Sequence, residues 1–448
     1  MNITQQSLEN LKEHWAIQAI GESEIKKAFY LADKLIVDNA VGEQIQFNFS
    51  FTPANYDLLE RTAMAYELIA IEGLDAFLSP TSDDVDTREQ CIASAHQAFE
   101  FYRLLPIPEC DEKKIFHILH LSALAYCGQR GVDLYRWLNE KESKLDISSE
   151  SSSSWDIKIL HNLFNCWIRL FRHKDWQSVN EINSIVNQLR EEQKLYEIDF
   201  FTDSDNAANR AKAFRLVSLY HWAKATEIQA DYMLQGEPVS IAQLLNKHFE
   251  SAIDAAIGGA DAQLEILLRW LQAAARQMAE SSIWWVARRI NSRVTKFVNQ
   301  VTRANALFEL MPPQKNAVQE QGLLDVAATA VVVDMPTSGG KTLLAQFRIL
   351  QALNQFSDSE EGCWIAYVAP TKALVSQITR RLRKDFEPIG VKVEQLTGAI
   401  DIDTFEDELL TQQDKAKNFD VLVATPEKLQ LVIRNKKVPR PLVLAVMD

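Results

Sequence analysis

Apolar residues recur at helical spacing through most of the first three hundred positions. "ERTAMAYELIAIEGLDAFL" (Glu60–Leu78), "ASAHQAFEFYRLL" (Ala93–Leu105), "FHILHLSALAYCGQRGVDLYRWL" (Phe116–Leu138) and "LVSLYHWAKATEIQADYML" (Leu216–Leu234) predict long helices rich in alanine and aromatics. Breakers fall between them: Pro80 with "TSDDVDT", "LPIPEC", "EPVSIAQLL" before a further helix, and "IGGADAQ" after it. Small residues set against aromatics, at intervals of about thirty, suggest stacked helical hairpins. No strict repeat is present, so an irregular helical domain and a solenoid both fit. "QIQFNFSF" alternates with period two and is the one early strand or hairpin candidate. The serine-rich "DISSESSSSW" divides the region near residue 150.

The pattern changes after residue 300 to strand, loop, helix. Val331, Val332 and Val333 read as a buried strand of a parallel sheet, and Leu343, Leu344, Phe347 and Leu350 as a helix. Between them lies "DMPTSGGKT". Gly340, Lys341 and Thr342 fit the end of a phosphate-binding loop, although Met335 stands where its leading glycine belongs. Backbone N–H groups from Ser338 to Lys341 would wrap phosphates above a positive helix end. A glycine at 339 and 340 permits a tight path that a Cβ would hinder. A chance Gly-Gly-Lys-Thr turn is the plainer reading of the loop alone, and its surroundings oppose it. "LMPPQKNAV" places Gln314 behind two prolines. "WIAYVAPTKALVSQ" is a strand ending in Pro370-Thr371 before a helix. "LTG" (Leu396–Gly398) follows, then the strand and turn "FDVLVATPEKLQ" and the strand "PLVLAVMD" ending at Asp448.

In that order and spacing, these segments resemble the adenine-side glutamine element and motifs I, Ia, Ib, Ic and II of a superfamily 2 DEAD/DEAH-box helicase. "PTSGGKT" and "TPEKL" are most similar to the superkiller-type branch, which includes archaeal repair helicases and the helicase domain of polymerase theta. The resemblance covers about residues 305–448, a third of the chain. It implies a RecA-like P-loop domain with a parallel sheet, so the expected fold is α plus α/β: a large helical N-terminal region, then an incomplete RecA-like domain. The expected divisions are 1–150, 151–300 and 301–448.

The resemblance assigns roles by position. Gln314 would read the adenine edge, since its amide both donates and accepts. Thr337, Ser338, Gly339, Gly340, Lys341 and Thr342 would hold ATP, with Lys341 on the β- and γ-phosphates. Thr342 and Asp448 would hold Mg²⁺, the aspartate through water. Pro370, Thr371, Ala373 and Gln377, with Thr397, Gly398, Thr425 and Pro426, would grip the phosphate backbone of DNA or RNA without reading bases. Arg380, Arg381, Arg383 and Lys384 either add charge contacts or form a solvated helix face. In this family the residue after Asp448 is the glutamate that orients the attacking water, and a second RecA-like domain carries an arginine finger. The chain therefore reads as part of a longer helicase, and these 448 residues are not expected to hydrolyse ATP by the family mechanism.

Charge refines the division. The net charge is −14, and residues 301–448 hold 17 basic against 19 acidic residues, so the acidity lies in the helical region. That argues against nonspecific nucleic-acid adhesion there. "SSIWWVARRINSRVTKFVNQ" (Ser281–Gln300) is the exception. Ser281 or Ser282 can cap its helix. Arg288, Arg289, Arg293 and Lys296 form a basic stripe beside Trp284, Trp285, Ile290, Val294 and Phe297. It is either a stacking and charge surface for nucleic acid or a core helix docking the helical region onto the motor. His161, His173 and His221 sit near aromatics and read as packed side chains. The five scattered cysteines give no zinc spacing and no secreted framework, and are expected to be buried, reduced thiols. No leader or membrane-spanning run is present, which suggests the cytoplasm. Two functions fit: an ATP-driven nucleic-acid motor, in genome defence or repair by analogy, whose helical region binds a protein partner; or a catalytically incomplete interaction protein derived from one.

Overall fold

The computed structural model describes residues 11–41, 51–78, 85–145, 155–200, 207–290, 292–336, 339–356, 362–396, 410, 419–438 and 440–448. Two compact units divide the chain, residues 1–280 and 281–448.

The first unit is helical. In order its helices are α1 (Trp15–Ile20), α2 (Glu22–Val41), α3 (Pro53–Glu72), α4 (Leu74–Leu78), α5 (Val85–Tyr102), α6 (Asp111–Cys127), α7 (Gly131–Glu140), α8 (Glu142–Leu145), α9 (Trp155–Arg172), α10 (Trp176–Phe200), α11 (Ala207–Gln235), α12 (Ile241–Gly258) and α13 (Ala262–Ser281). Successive helices pack on one another: α11 against α12, α3 against α5, and α9 against both α10 and α11. Trp167, Trp222, Trp270, Phe99 and Phe249 are fully buried, as are small residues such as Ala123, Ala252 and Ala274. The breaks at "LPIPEC", "EPVSIAQLL" and "IGGADAQ" are loops or helix junctions. Residues 44–50 of the strand candidate at 44–51, the loop at 79–84 and the serine-rich loop at 146–154 lie outside the described residues.

One buried carboxylate joins distant parts of this unit. Glu67 on α3 accepts from Tyr102 Oη at 2.8 Å and Trp270 Nε1 at 3.0 Å, and bonds His120 Nε2 at 2.7 Å. Burial opposes its charge, but His120 and the other donors outweigh burial and hold the carboxyl below its usual range. His173 lies against Tyr126, and His221 Nδ1 meets His248 Nδ1 at 3.2 Å, so both pack against neighbouring rings. Of the cysteines, Cys91, Cys127, Cys166 and Cys363 are buried. Cys110 departs from the expectation and is exposed, because it is the N-cap residue of α6 at a surface turn.

Burial lowers His96, His117 and His173 to about 4 from an ordinary value of 6.5. Between those values the unfolded chain binds protons that the folded chain does not. Stability is therefore expected to fall as pH drops from about 6.5 to about 4. Thermal unfolding of the chain, followed by tryptophan fluorescence across that range, checks this. A flat profile would contradict burial of the neutral imidazoles.

The second unit is a parallel sheet with helices on both faces. Its elements are α14 (Ile283–Ile290), α15 (Ser292–Asn305), α16 (Pro312–Gln319), α17 (Lys341–Gln355), β1 (Trp364–Val368), α18 (Lys372–Phe386), β2 (Val393–Gln395), β3 (Val421–Ala424), α19 (Pro426–Arg434) and β4 (Leu442–Met447). The strand order is β2-β3-β1-β4, and every pair is parallel. All five residues of β1 are buried. Ile365 and Tyr367 join one core, with Phe297, Phe347 and Phe386. Trp364, Ala366 and Val368 join the other, with Leu429 and Val432. Alternate side chains thus serve opposite faces, as a strand covered on both sides requires. No described helix in the chain is long and apolar enough to cross a membrane.

Residues 281–300 belong to the second unit, whereas composition suggested a division near 300. They form two helices, α14 and α15, rather than one. Ser282 Oγ accepts from Trp284 N at 3.2 Å, and backbone bonds Ile283 N to Phe308 O and Leu310 N to Ser281 O fasten the start of α14. Trp284, Val294, Phe297 and Val301 enter the core of the second unit, so packing decides the role of this stretch.

Val331–Val333 depart from expectation. They form no strand, and Val332 is 93% exposed. A β-branched run becomes a strand only with a neighbour to complete its ladder. Among the described residues none pairs with it; the run instead faces β4 across a cavity of about 500 Å³.

Candidate nucleotide and nucleic-acid site

The loop before α17 is built around its two glycines. Gly339 N bonds Pro336 O at 2.9 Å, closing a tight turn. A Cβ at 339 would lie 3.1 Å from that carbonyl and 3.3 Å from the Met335 side chain. Met335 is buried, so the residue in the place of the leading glycine packs under the turn. Gly340 is the N-cap of α17 at φ 75°, and a Cβ there would meet Gln314 Nε2 at 2.1 Å. Neither position admits another residue without a shift. No acidic residue occupies the first turn of α17, so its positive end has no carboxylate competing for an anion.

Gln314 reaches this loop from α16. The helix starts with Pro312 and Pro313, and Gln314 Oε1 accepts from Met311 N at 3.0 Å. Its Nε2 donates to Gly340 O at 3.2 Å. The side chain is buried and bridges the helix start to the glycine loop, with both ends of its amide engaged within the protein.

Lys341 and Asp448 line the same cavity of about 500 Å³, together with Val331–Val333, Tyr367 and the end of β4. Asp448 N donates to Val368 O at 3.0 Å, which sets the aspartate just past the last ladder bond of β4. Burial first, and then the nearby Asp448 charge, push the Tyr367 hydroxyl up to about 12. Thr342, half-buried, follows Lys341 in the first turn of α17. Thr337 and Ser338 lie outside the described residues.

The parallel register gathers the remaining motifs. Val368 pairs with Ala424 and with Met447, and Gln395 with Val423. Four strands thus end together, and the next residues of each emerge at one carboxyl edge, the usual ligand edge of an open α/β sheet. Pro370 and Thr371 follow β1, Thr425 and Pro426 follow β3, and Asp448 follows β4. Thr371 caps α18, its side chain accepting from Leu374 N at 3.3 Å, and Thr425 is the N-cap of α19. Ala373 and Gln377 are exposed one turn apart on α18. Two helix N-termini therefore follow adjacent strands at the same sheet edge as Asp448. Thr397 and Gly398, after β2, lie outside the described residues.

The basic run on α18 divides. Arg383 Nε donates to Val393 O at 2.8 Å and its Nη2 to Glu394 at 2.5 Å, while Lys384 Nζ donates to Asn305 Oδ1 at 2.9 Å. These two fasten α18 to β2 and α15. Arg380 and Arg381 are exposed.

Sequence reading passed over several supporting residues. Buried Asp385 accepts from Gln346 Nε2 at 2.9 Å and Asn305 Nδ2 at 3.4 Å, joining α17, α18 and α15. Arg348 donates to the carbonyls of Asp325 and Ala328, and Gln351 to that of Leu324, holding the segment that leads into the glycine loop. These partners lie 20 to 80 residues apart in sequence, and no local pattern marks them.

Comparison with known proteins agrees with this geometry. Residues 312–448 match the DEAD/DEAH box helicase family. The chain is 34% identical over 142 residues to the ATP-dependent DNA helicase Hel308 of Pyrococcus abyssi, covering 32% of this chain and 17% of that protein. It is 30% identical over 166 residues to the DExH-box ATP-dependent RNA helicase DExH12 of Arabidopsis thaliana, covering 35% and 7%. It is 32% identical over 106 residues to the Hachiman protein HamB of Bacillus cereus, covering 24% and 9%. The matched stretch spans less than a fifth of each of these relatives. Residues 312–448 thus form a DEAD/DEAH-box helicase domain, similar to those of superfamily 2 helicases of the superkiller-type branch.

Proposed function

We propose that this chain contributes the ATP-binding half of an ATP-driven nucleic-acid motor. The observation that carries the reading is the common carboxyl edge, where the parallel register brings Lys341, Asp448, Thr371 and Thr425 to one side of one sheet. The donor set suits a magnesium triphosphate: a lysine and an aspartate line a cavity with room for phosphates, and a threonine hydroxyl follows the lysine at an uncompensated helix N-terminus. Thr342 and Asp448 would hold Mg²⁺, which when bound neutralises phosphate oxygens. Lys341 stabilises charge on the β- and γ-phosphates. Gln314 couples the adenine side to Gly340 through its amide. Thr371, Ala373 and Gln377 with Thr425 and Pro426 offer hydroxyls and helix N-termini to the phosphates of a strand, contacts that carry no base information and so suit movement along any sequence. The same reading extends to Thr337, Ser338, Thr397 and Gly398 by their place in the motifs. The helical unit serves as the docking region for a protein partner, and genome defence or repair is the setting that such an arrangement fits.

The test is nucleic-acid affinity. In the full protein, the double substitution Thr371→Val and Thr425→Val is expected to weaken binding of single-stranded DNA or RNA about tenfold, as loss of charge-assisted hydrogen bonds to phosphate does. The loss should be the same for mixed, purine and pyrimidine sequences. Fluorescence anisotropy at fixed salt measures it. A loss confined to one base composition, or none, would remove these threonines from the strand path. Comparing DNA with RNA in the same titration chooses the substrate.

A further inference from the structure

The helical unit contains a cavity that the motor function does not use. It lies among α9, α10 and α11 and has a volume of about 320 Å³. Its walls are mainly apolar, including Trp155, Ile159, Val186, Leu189, Leu216 and Val217. Helix α11 is apolar on two sides. Leu219 and Trp222 are fully buried, while Val217 is 47% and Tyr220 41% exposed at the cavity. A helix apolar over so much of its surface is normally covered. The size and lining are those of a small-molecule site: apolar walls with a few polar groups to orient a ligand.

The polar groups define the ligand's head. Among the described residues, the charged ones that line the cavity, Arg190 and Lys224, are both cations. Arg190 Nη2 and Lys224 Nζ donate to the same oxygen, Glu227 Oε2, and Arg190 Nη1 donates to Asn187 Oδ1. Neither Glu227 nor Asp231, the acids behind them, lines the cavity. A guanidinium has five N–H donors and an ammonium three, so both cations retain capacity for a further acceptor. Any group entering the cavity meets apolar walls and a cationic rim.

We infer that this cavity binds an amphipathic carboxylate of the medium-chain fatty-acid type, its apolar body among Leu189, Leu216 and Val217 and its carboxylate on Arg190 and Lys224. Burying the chain supplies the driving force, and pairing the carboxylate with the two cations orients it. A volume of about 320 Å³, open at Val217 and Tyr220, is of small-molecule size and smaller than a partner helix would fill.

Isothermal titration of the 448-residue protein with decanoate, kept below its micelle concentration, tests this. Saturable one-to-one binding is expected, with decyltrimethylammonium at least tenfold weaker. Lys224→Gln should weaken decanoate about tenfold, the loss of one charged hydrogen bond, and leave decanol unaffected. Ala223→Phe should fill the cavity and abolish binding. Should that variant fail to fold, Val217→Trp, at a position already exposed at the mouth, gives the same readout with the core untouched. Absence of saturable heat would overturn the inference. So would unchanged affinity in Val217→Trp, or equal affinity for the cationic amphiphile, which would mark the space as a packing void.

Discussion

Replacing Lys341 by alanine is expected to lower nucleic-acid-stimulated ATP hydrolysis by the full protein on the order of 10²–10³-fold, the cost of removing one preorganised charge from a developing transition state. Lys341 is exposed at the first position of α17 and lines the cavity that ends at Asp448. It contributes no core packing, so thermal unfolding should move little, within about 0.5 kcal/mol of stability for an exposed position. Activity and stability are therefore predicted to separate. A phosphate-release assay beside a thermal melt measures both. Turnover within a few-fold of the parent would show that the triphosphate is held elsewhere. A large loss of stability would mean that the variant reports folding rather than chemistry.

Phe297→Ala is expected to have the largest effect on stability, about 3–5 kcal/mol, from lost transfer free energy and the cavity left behind. Phe297 is fully buried, with its ring edge-on to Phe347 of α17 at 5.9 Å and to Phe386 of α18 at 5.7 Å. It therefore connects the helix that begins with the phosphate loop to the helix that begins with Thr371. Losing that much from a domain whose total is on the order of 5–15 kcal/mol should leave the second unit largely unfolded on mild warming. The neighbouring Lys296 is exposed, and Lys296→Ala should change stability by less than about 0.5 kcal/mol. Denaturant titration of both variants decides between the two readings of this stretch. If Phe297→Ala were mild and Lys296→Ala instead weakened nucleic-acid binding, the basic stripe would be the functional face.

The sequence by itself determined whatever rests on local chemistry. Helical periodicity marked the first unit because α-helices satisfy their backbone within the segment. Gly339-Gly340-Lys341-Thr342 marked the phosphate loop because a left-handed cap and a crowded turn restrict which residues can stand there. Pro and Thr after two of the apolar runs marked the ends of β1 and β3, because a capping threonine, joined in α19 by a proline at the first helical position, starts a helix. Only the tertiary structure decided matters that depend on distant partners. Val331–Val333 have strand-forming side chains and no neighbouring strand among the described residues, so Val331 and Val332 stay exposed. Arg383 and Lys384 look like neighbours of Arg380 and Arg381 in sequence, yet Glu394 and Asn305 claim them for packing. Gln314 was read as a candidate site residue, but its bond to Gly340 was not foreseen, nor was the Asp385 cluster that joins α17 and α18. The apolar residues of 281–300 fit a binding face and a core equally well. Burial against Phe347 and Phe386 resolved them, because hydrophobic stabilisation depends on the surface removed from water, and a linear pattern does not say what will cover it.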